Sequence, residues 1–183
     1  MPRSDAAPAA LDPVLDAFVA LWGDMGSAWG INRTMAQLHA LLYATEEPLD
    51  TDTLMARLGI SRGNANTNLR ALLGWGLVRK VPRDGSRKDF FEAEKDVWEI
   101  TRRILEHREA RELRPVLDRL DELRTRAAAA DPQLQQRLDD LATFMRAFQG
   151  FSRAVTPLLA ARNAALVQGL VAMAASMAPR DDA

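Results

Sequence analysis

The sequence predicts a mainly α fold, all-α except for one small β-hairpin. Apolar residues recur at helical spacing from about Leu11 to Ala44 and again from Asp96 almost to the end. Strand-like character is confined to Leu77–Val81 and Phe90–Ala93. A third observation refines the class. Over Leu54–Glu94 a short helix ends at Gly59, a second begins at Ser61, and the hairpin follows with basic residues at its tip. That order is a winged helix-turn-helix, in which one helix can enter a DNA major groove while a hairpin wing reaches beside it.

The first ten residues are small, polar and proline-containing, and read as a disordered arm. From about Leu11, the residues Val14, Leu15, Phe18, Leu21 and Trp22 have helical spacing, which Gly23 is expected to end; Gly26 to Gly30 reads as a break. A second helix is expected from about Asn32 to Ala44, with Met35, Leu38, Leu42 and His39 inward, and Glu46-Glu47-Pro48 stops it. Asp50 or Thr51 can cap a short helix over Thr51–Leu58, because a side-chain oxygen there satisfies free backbone amides. Gly59 permits the sharp turn, Ile60 fills the space between helices, and Ser61 caps a helix running to about Trp75. Pro82 to Lys88, with Asp84-Gly85, is the turn of the hairpin. Beyond Asp96 the apolar positions Trp98, Ile100, Ile104 and Leu105 open a helical region that Leu113, Val116, Leu117, Leu120 and Leu123 continue. Breaks are expected at Asp131-Pro132 and at a joint flanked by Gly150 and Pro157, before a last stretch from Leu158 to Met177. These helices carry more apolar residues than one stripe needs, so they are expected to pack on one another and on a second chain.

The 183 residues have a formal net charge of −1, which gives no global attraction to a polyanion. The distribution is uneven. Arg57, Arg62, Arg70, Arg79, Lys80, Arg83, Arg87 and Lys88 face only Asp84 within their window, a balance of +7 that leaves −8 for the rest. Such a block suits local phosphate binding on an acidic body; the alternative is a solvated charged hairpin. The absence of cysteine excludes disulfides and thiolate metal sites. The longest apolar run, Ala164 to Ala178, is interrupted by Gln168 and Gly169 and falls short of the ~20 residues a membrane span requires. The N-terminal stretch has no apolar core of signal-peptide length, so a cytoplasmic protein with no membrane contact is expected. His39 and His107 are the only histidines, with no nucleophile–base pairing, no HExxH and no glycine-rich phosphate loop. No catalysis, metal or cofactor is expected.

With Leu69 at the centre of the buried face, 100° per residue places Ala65, Leu72 and Leu73 near it. Gly63, Asn64, Thr67 and Ala71 then lie opposite, with Asn68 and Arg70 on the flanks and Asn66 partly toward the core. An asparagine can pair bidentately with adenine and a threonine methyl can touch thymine. Gly63 leaves room for close approach, and Arg62 at the helix N-terminus suits a phosphate. On the wing, Arg83, Arg87 and Lys88 can follow phosphates or enter a narrow minor groove, with Arg87 at the tip. Asp89 is expected to pin a wing arginine. The expected DNA-facing set is Ser61, Arg62, Gly63, Asn64, Asn66, Thr67, Asn68, Arg70, Arg83, Arg87 and Lys88. Three asparagines on a wet helix surface are the plainer alternative.

The runs GISRGNANTNLRALLGWGLVRKV and DGSRKDFFEAEKDVWEI, preceded by MGSAWGINRTMAQLHALLYATEEPLDTDTL, resemble the GbsR-type branch of the MarR transcriptional regulators over roughly residues 20–105. The resemblance implies a homodimeric winged-helix regulator of double-stranded DNA, held together by N- and C-terminal helices and bound to a pseudo-palindromic operator; repression is the expected mode, with activation the alternative. The corresponding division is a disordered arm over 1–10, an N-terminal helix over 11–30 contributing to dimerisation, the winged domain over 31–96, and a helical dimerisation and effector region over 97–178. Some members of that branch respond to choline or glycine betaine, and a quaternary ammonium requires aromatic faces. Trp22, Trp29 and Trp98 are the candidates for such an effector pocket, although tryptophans at helical spacing also serve as core. The competing functional reading is a winged-helix protein-interaction module with an oligomerising helical tail and no specific DNA site.

Overall fold

The computed structural model describes residues 12–128 and 131–160, together with 165, 168, 169, 172 and 173. It divides into two compact units, Met1–Lys95 and Asp96–Ala183. The expected arm over 1–10 and most of the last expected helix lie outside the described residues.

The first unit is a winged helix-turn-helix. Its order is α1 (Pro13–Ala28), α2 (Arg33–Ala44), β1 (Leu49–Asp50), α3 (Thr51–Leu58), α4 (Arg62–Gly74), β2 (Val78–Val81) and β3 (Phe90–Ala93). Each helix begins where a side-chain oxygen accepts a backbone N–H. Asp12 takes that of Val14 (2.9 Å), Asn32 that of Met35 (3.1 Å), Asp50 that of Thr53 (2.8 Å) and Ser61 that of Asn64 (3.3 Å). Gly59 closes α3 in the left-handed region, φ 62°, which sets the tight turn into α4. Leu38, Leu41 and Leu42 of α2, Leu54 of α3, and Leu69 and Leu72 of α4 are fully buried. Burial of each such side chain is worth about 1.5–3 kcal/mol. The hairpin β2–β3 is joined by a third strand, β1, which pairs antiparallel with β3 through Leu49–Phe91 and Asp50–Phe90. The expected two-stranded hairpin is therefore one edge of a three-stranded sheet.

The expected end of α1 at Gly23, and the break at Gly26, are corrected. The helix continues through both, which lie buried against α2. A Cβ at Gly23 would stand 2.8 Å from Gln37 Cγ, and one at Gly26 would stand 2.6 Å from Ala36 Cβ. These glycines let two helices approach closely, and the turn itself falls at Gly30, φ 75°. At the far end of α2, Lys95 Nζ donates to the carbonyls of Leu42 (2.8 Å), Tyr43 (2.6 Å) and Thr45 (2.5 Å). A cation on the terminal carbonyls complements the helix dipole there.

The second unit is helical among its described residues. α5 (Val97–Arg108) passes through a π-helical turn (Glu109–Leu113) into α6 (Arg114–Ala127), and α7 (Pro132–Ala160) follows. Asp96 starts α5 by accepting the Trp98 N–H (2.9 Å). The π turn precedes Pro115, whose ring would meet the carbonyl four residues back and which has no N–H to donate. Widening the ladder, so that Arg114 N–H reaches Glu109 O, accommodates it without ending the helix.

The expected joint at Gly150 and Pro157 is also corrected, because α7 runs through both. Gly150 is exposed and only weakens the helix, by about 1 kcal/mol relative to alanine. Pro157 deprives the residue 153 carbonyl of its donor, and Arg153 is exposed. α7 carries two seams. Leu138, Ala142, Met145, Gln149, Ser152 and Thr156 are buried or half-buried, whereas Leu141 (47 %), Phe144 (69 %), Phe148 (56 %) and Phe151 (66 %) stand out in solvent. No described helix is long and apolar enough to cross a membrane.

Candidate nucleic-acid interface

α4 presents one polar face. Ser61, Arg62, Gly63, Asn64, Thr67 and Arg70 are exposed, Asn66 is half-buried, and Ala65, Leu69 and Leu72 hold the opposite side in the core. Nothing lies within 4 Å of where a Cβ on Gly63 would be, so the first turn is open to close approach. Asn64 is held from two sides: its Nδ2 donates to Thr34 Oγ1 (3.4 Å), and its Oδ1 accepts from Asn68 Nδ2 (2.6 Å).

Asn68 departs from expectation. It is only 6 % exposed, and its amide also donates to the Asn64 carbonyl (2.9 Å). A side chain committed one turn back in its own helix supports Asn64 and is not displayed on the outer face.

The wing turns at Gly85, φ 76°, with Ser86 N–H donating to Arg83 O (3.1 Å). Its cations have different surroundings. Arg83 lies over the Phe90 ring at 5.2 Å. Lys80 donates to Asp89 (2.6 Å), so Asp89 pins a lysine of β2 where a wing arginine was expected. Arg79 pairs with Glu92 across the strands. Lys88 turns back from the wing to Asp50 (2.7 Å) and Asp52 (2.9 Å), and Asp52 also holds Arg62.

The basic block is therefore half answered by acids from outside its sequence window: Arg62, Arg79, Lys80 and Lys88 are paired. Arg57, Arg70, Arg83 and Arg87 pair with no carboxylate among the described residues. Burial pushes the Asp50 carboxyl up, but hydrogen bonds from Lys88 and Thr53 outweigh it and hold the group down at about 2. Hydrogen bonds from Lys88 and Arg62 hold Asp52 below its ordinary value, and the bonds to Asp50 and Asp52 raise Lys88. Sequence reasoning missed Thr34, Asp50 and Asp52 as parts of this surface. Asp50 was visible only as a cap, because its partner lies 38 residues on.

Of the aromatic candidates, Trp22 joins Phe18, His39 and Tyr43, with ring centroids 5.6 to 6.3 Å apart and Trp22 stacked on Tyr43. Trp29 is 60 % exposed at the end of α1, and Trp98 is half-buried in α5, in the other unit. His39 is 3 % exposed, its Nε2 has no hydrogen-bond partner among the described residues, and burial, aided by the charge of Lys95, lowers its pKa to about 4. No group of side chains with metal-binding character occurs among the described residues.

No family model matches the chain, and no curated protein does. A solved structure described as that of a transcriptional regulator superposes with a TM-score of 0.65, covering 81 % of this chain and 99 % of the other at 19 % identity. The two chains share one fold. At that identity the likeness extends to the path of the backbone and leaves the chemistry of the α4 and wing surfaces to be argued from this chain's own residues.

Proposed function

We propose that this protein is a sequence-specific DNA-binding transcriptional regulator, a repressor, that acts as a homodimer on a pseudo-palindromic operator. The observation that carries the reading is the capped helix α4, whose exposed first turns offer Gly63, Asn64 and Thr67 beside the unpaired guanidiniums of Arg70 and Arg87. Asn64 and Thr67 would read base edges, with Asn68 holding the Asn64 amide in one orientation. Arg70, Arg83 and Arg87 would follow phosphates or the adjacent minor groove. The solved neighbour of the same fold, described as a transcriptional regulator, supports the same reading.

The homodimer rests on α7. Leu141, Phe144, Phe148 and Phe151 follow spacings of three, four and three, and all are exposed. A heptad seam of this kind is closed by another helix of like pattern, and a second copy supplies one. The release signal is proposed to be a small molecule, with the aromatic residues Trp22, Trp29 and Trp98 as the first positions to probe.

A second reading, a protein-interaction module without a specific DNA site, is favoured by the internal pairing of four of the eight basic residues, which reduces the field available to a polyanion. Salt-titrated mobility shifts separate the two. On duplex from upstream of its own gene, the wild type is expected to bind with steep salt dependence, and Arg87→Ala to lessen the slope by about 0.9 for one lost phosphate contact. Absence of salt-sensitive binding to any duplex would favour the interaction module.

A further inference from the structure

Two cations of the proposed DNA-binding surface are tied together by one carboxylate. Asp52, in the first turn of α3, accepts from Arg62 in the first turn of α4 and from Lys88 Nζ (2.9 Å) of the wing. The neighbouring Asp50 has a structural assignment, since one oxygen caps α3 through Thr53 N–H (2.8 Å) and the other receives Lys88 (2.7 Å) in a buried setting. Asp52 caps nothing. Its side chain is 47 % exposed, and Arg62 and Lys88 are 63 % and 54 % exposed.

We propose that Asp52 is a positioning residue that holds Arg62 closed in the free protein and yields it to a backbone phosphate when a duplex arrives. This inference rests on the DNA-binding reading above. Carboxylate and phosphate oxygens compete for the same N–H donors. An exposed ion pair is weak and salt-screened. A phosphate that takes its place also releases condensed counterions, which the carboxylate cannot do. The exchange needs only side-chain rotation, because Arg62 is exposed and has no other carboxylate among the described residues, while Lys88 stays on the buried Asp50. After it, Asp52 has lost one of its two partners and stands beside phosphates, which it repels. Asp52 thus lowers affinity for every duplex alike and leaves a larger share of operator binding to Asn64 and Thr67.

The test uses the full chain and a random-sequence duplex, with binding followed by fluorescence anisotropy between 50 and 200 mM salt. Asp52→Asn is expected to bind roughly fivefold more tightly at the lowest salt, the scale of one surface ion pair. Its salt slope should match that of wild type, because Arg62 meets a phosphate in both complexes. Asp52→Glu should restore wild-type affinity, and Arg62→Met in the Asp52→Asn background should lessen the slope by about 0.9 for the lost phosphate contact. Thermal unfolding by circular dichroism confirms that the variants are folded. Folded Asp52→Asn with unchanged or weaker binding, or an Arg62→Met slope equal to that of Asp52→Asn alone, would overturn the proposal while the DNA-binding reading stood. No salt-sensitive binding by wild type and variant alike would overturn both.

Discussion

α4 and α7 each expose one face, and the two faces are chemically opposite. α4 shows Gly63, Asn64, Thr67 and Arg70, small or hydrogen-bonding groups beside unpaired charge. α7 shows Leu141, Phe144, Phe148 and Phe151, which can do little in water except leave it. Both helices bury their other side, so neither face is an accident of a poorly packed element. On the proposed reading the difference calls for two partners of different kinds: a hydrated, charged, groove-shaped one for α4, and an apolar helix for α7. A regulator of duplex DNA that dimerises through its helical unit needs one of each.

The largest effect should come from breaking the apolar face. Phe144→Glu combined with Phe148→Glu places two charges in the proposed seam, where burying an unpaired charge costs several kcal/mol. Sedimentation equilibrium should show a monomer, while circular dichroism remains helical because both positions are exposed within the single chain.

A second effect is read in the first unit as a function of pH. His39 belongs to the first unit, and its pKa falls from 6.5 to about 4, so between those values the unfolded chain binds the proton and the folded chain does not. Stability is therefore complete above about pH 6.5 and declines as the pH drops toward 4, by about 3 kcal/mol in all for a shift of this size. Chemical denaturation followed at each pH should report this loss for the first unit, and His39→Leu should flatten the dependence.

A third effect sharpens the polar face. Asn64→Ala should cost about 1–3 kcal/mol of discrimination at one operator base pair, measured by competition among single-base operator variants. Arg87→Ala, the smallest change, should weaken binding to all sequences about equally, because a phosphate contact carries no sequence information. Anisotropy on specific and random duplexes checks this, and unequal losses would move Arg87 into a groove.

Most of the turn architecture was legible in the sequence, because its causes are local. Asp50, Ser61 and Gly59 act on backbone groups within three or four residues, so α3 and α4 begin and end close to where those residues require. What escaped depends on distant partners. Gly23 and Gly26 look like breaks until α2 is seen against them. Lys88 looks like a wing-tip cation until Asp50 and Asp52 are beside it. Asn68 sat on the flank of a helical wheel, and only its bonds to Asn64 reveal that it is a support. β1 is two residues long, too short for an alternating pattern, and only its pairing with β3 defines it. In α7 the read-through at Gly150 and Pro157 follows from packing along the helix, which outweighs the local preference of two residues.

The two faces are tested together by one footprint. A duplex selected from a random pool by the full chain should show, on hydroxyl-radical cleavage, two protected stretches related by a dyad. Their centres should lie about one helical turn apart, or a multiple of it, as two copies of α4 on a shared axis require. Failure to enrich any duplex, or one asymmetric protected stretch from a chain that sediments as a monomer, would contradict the account.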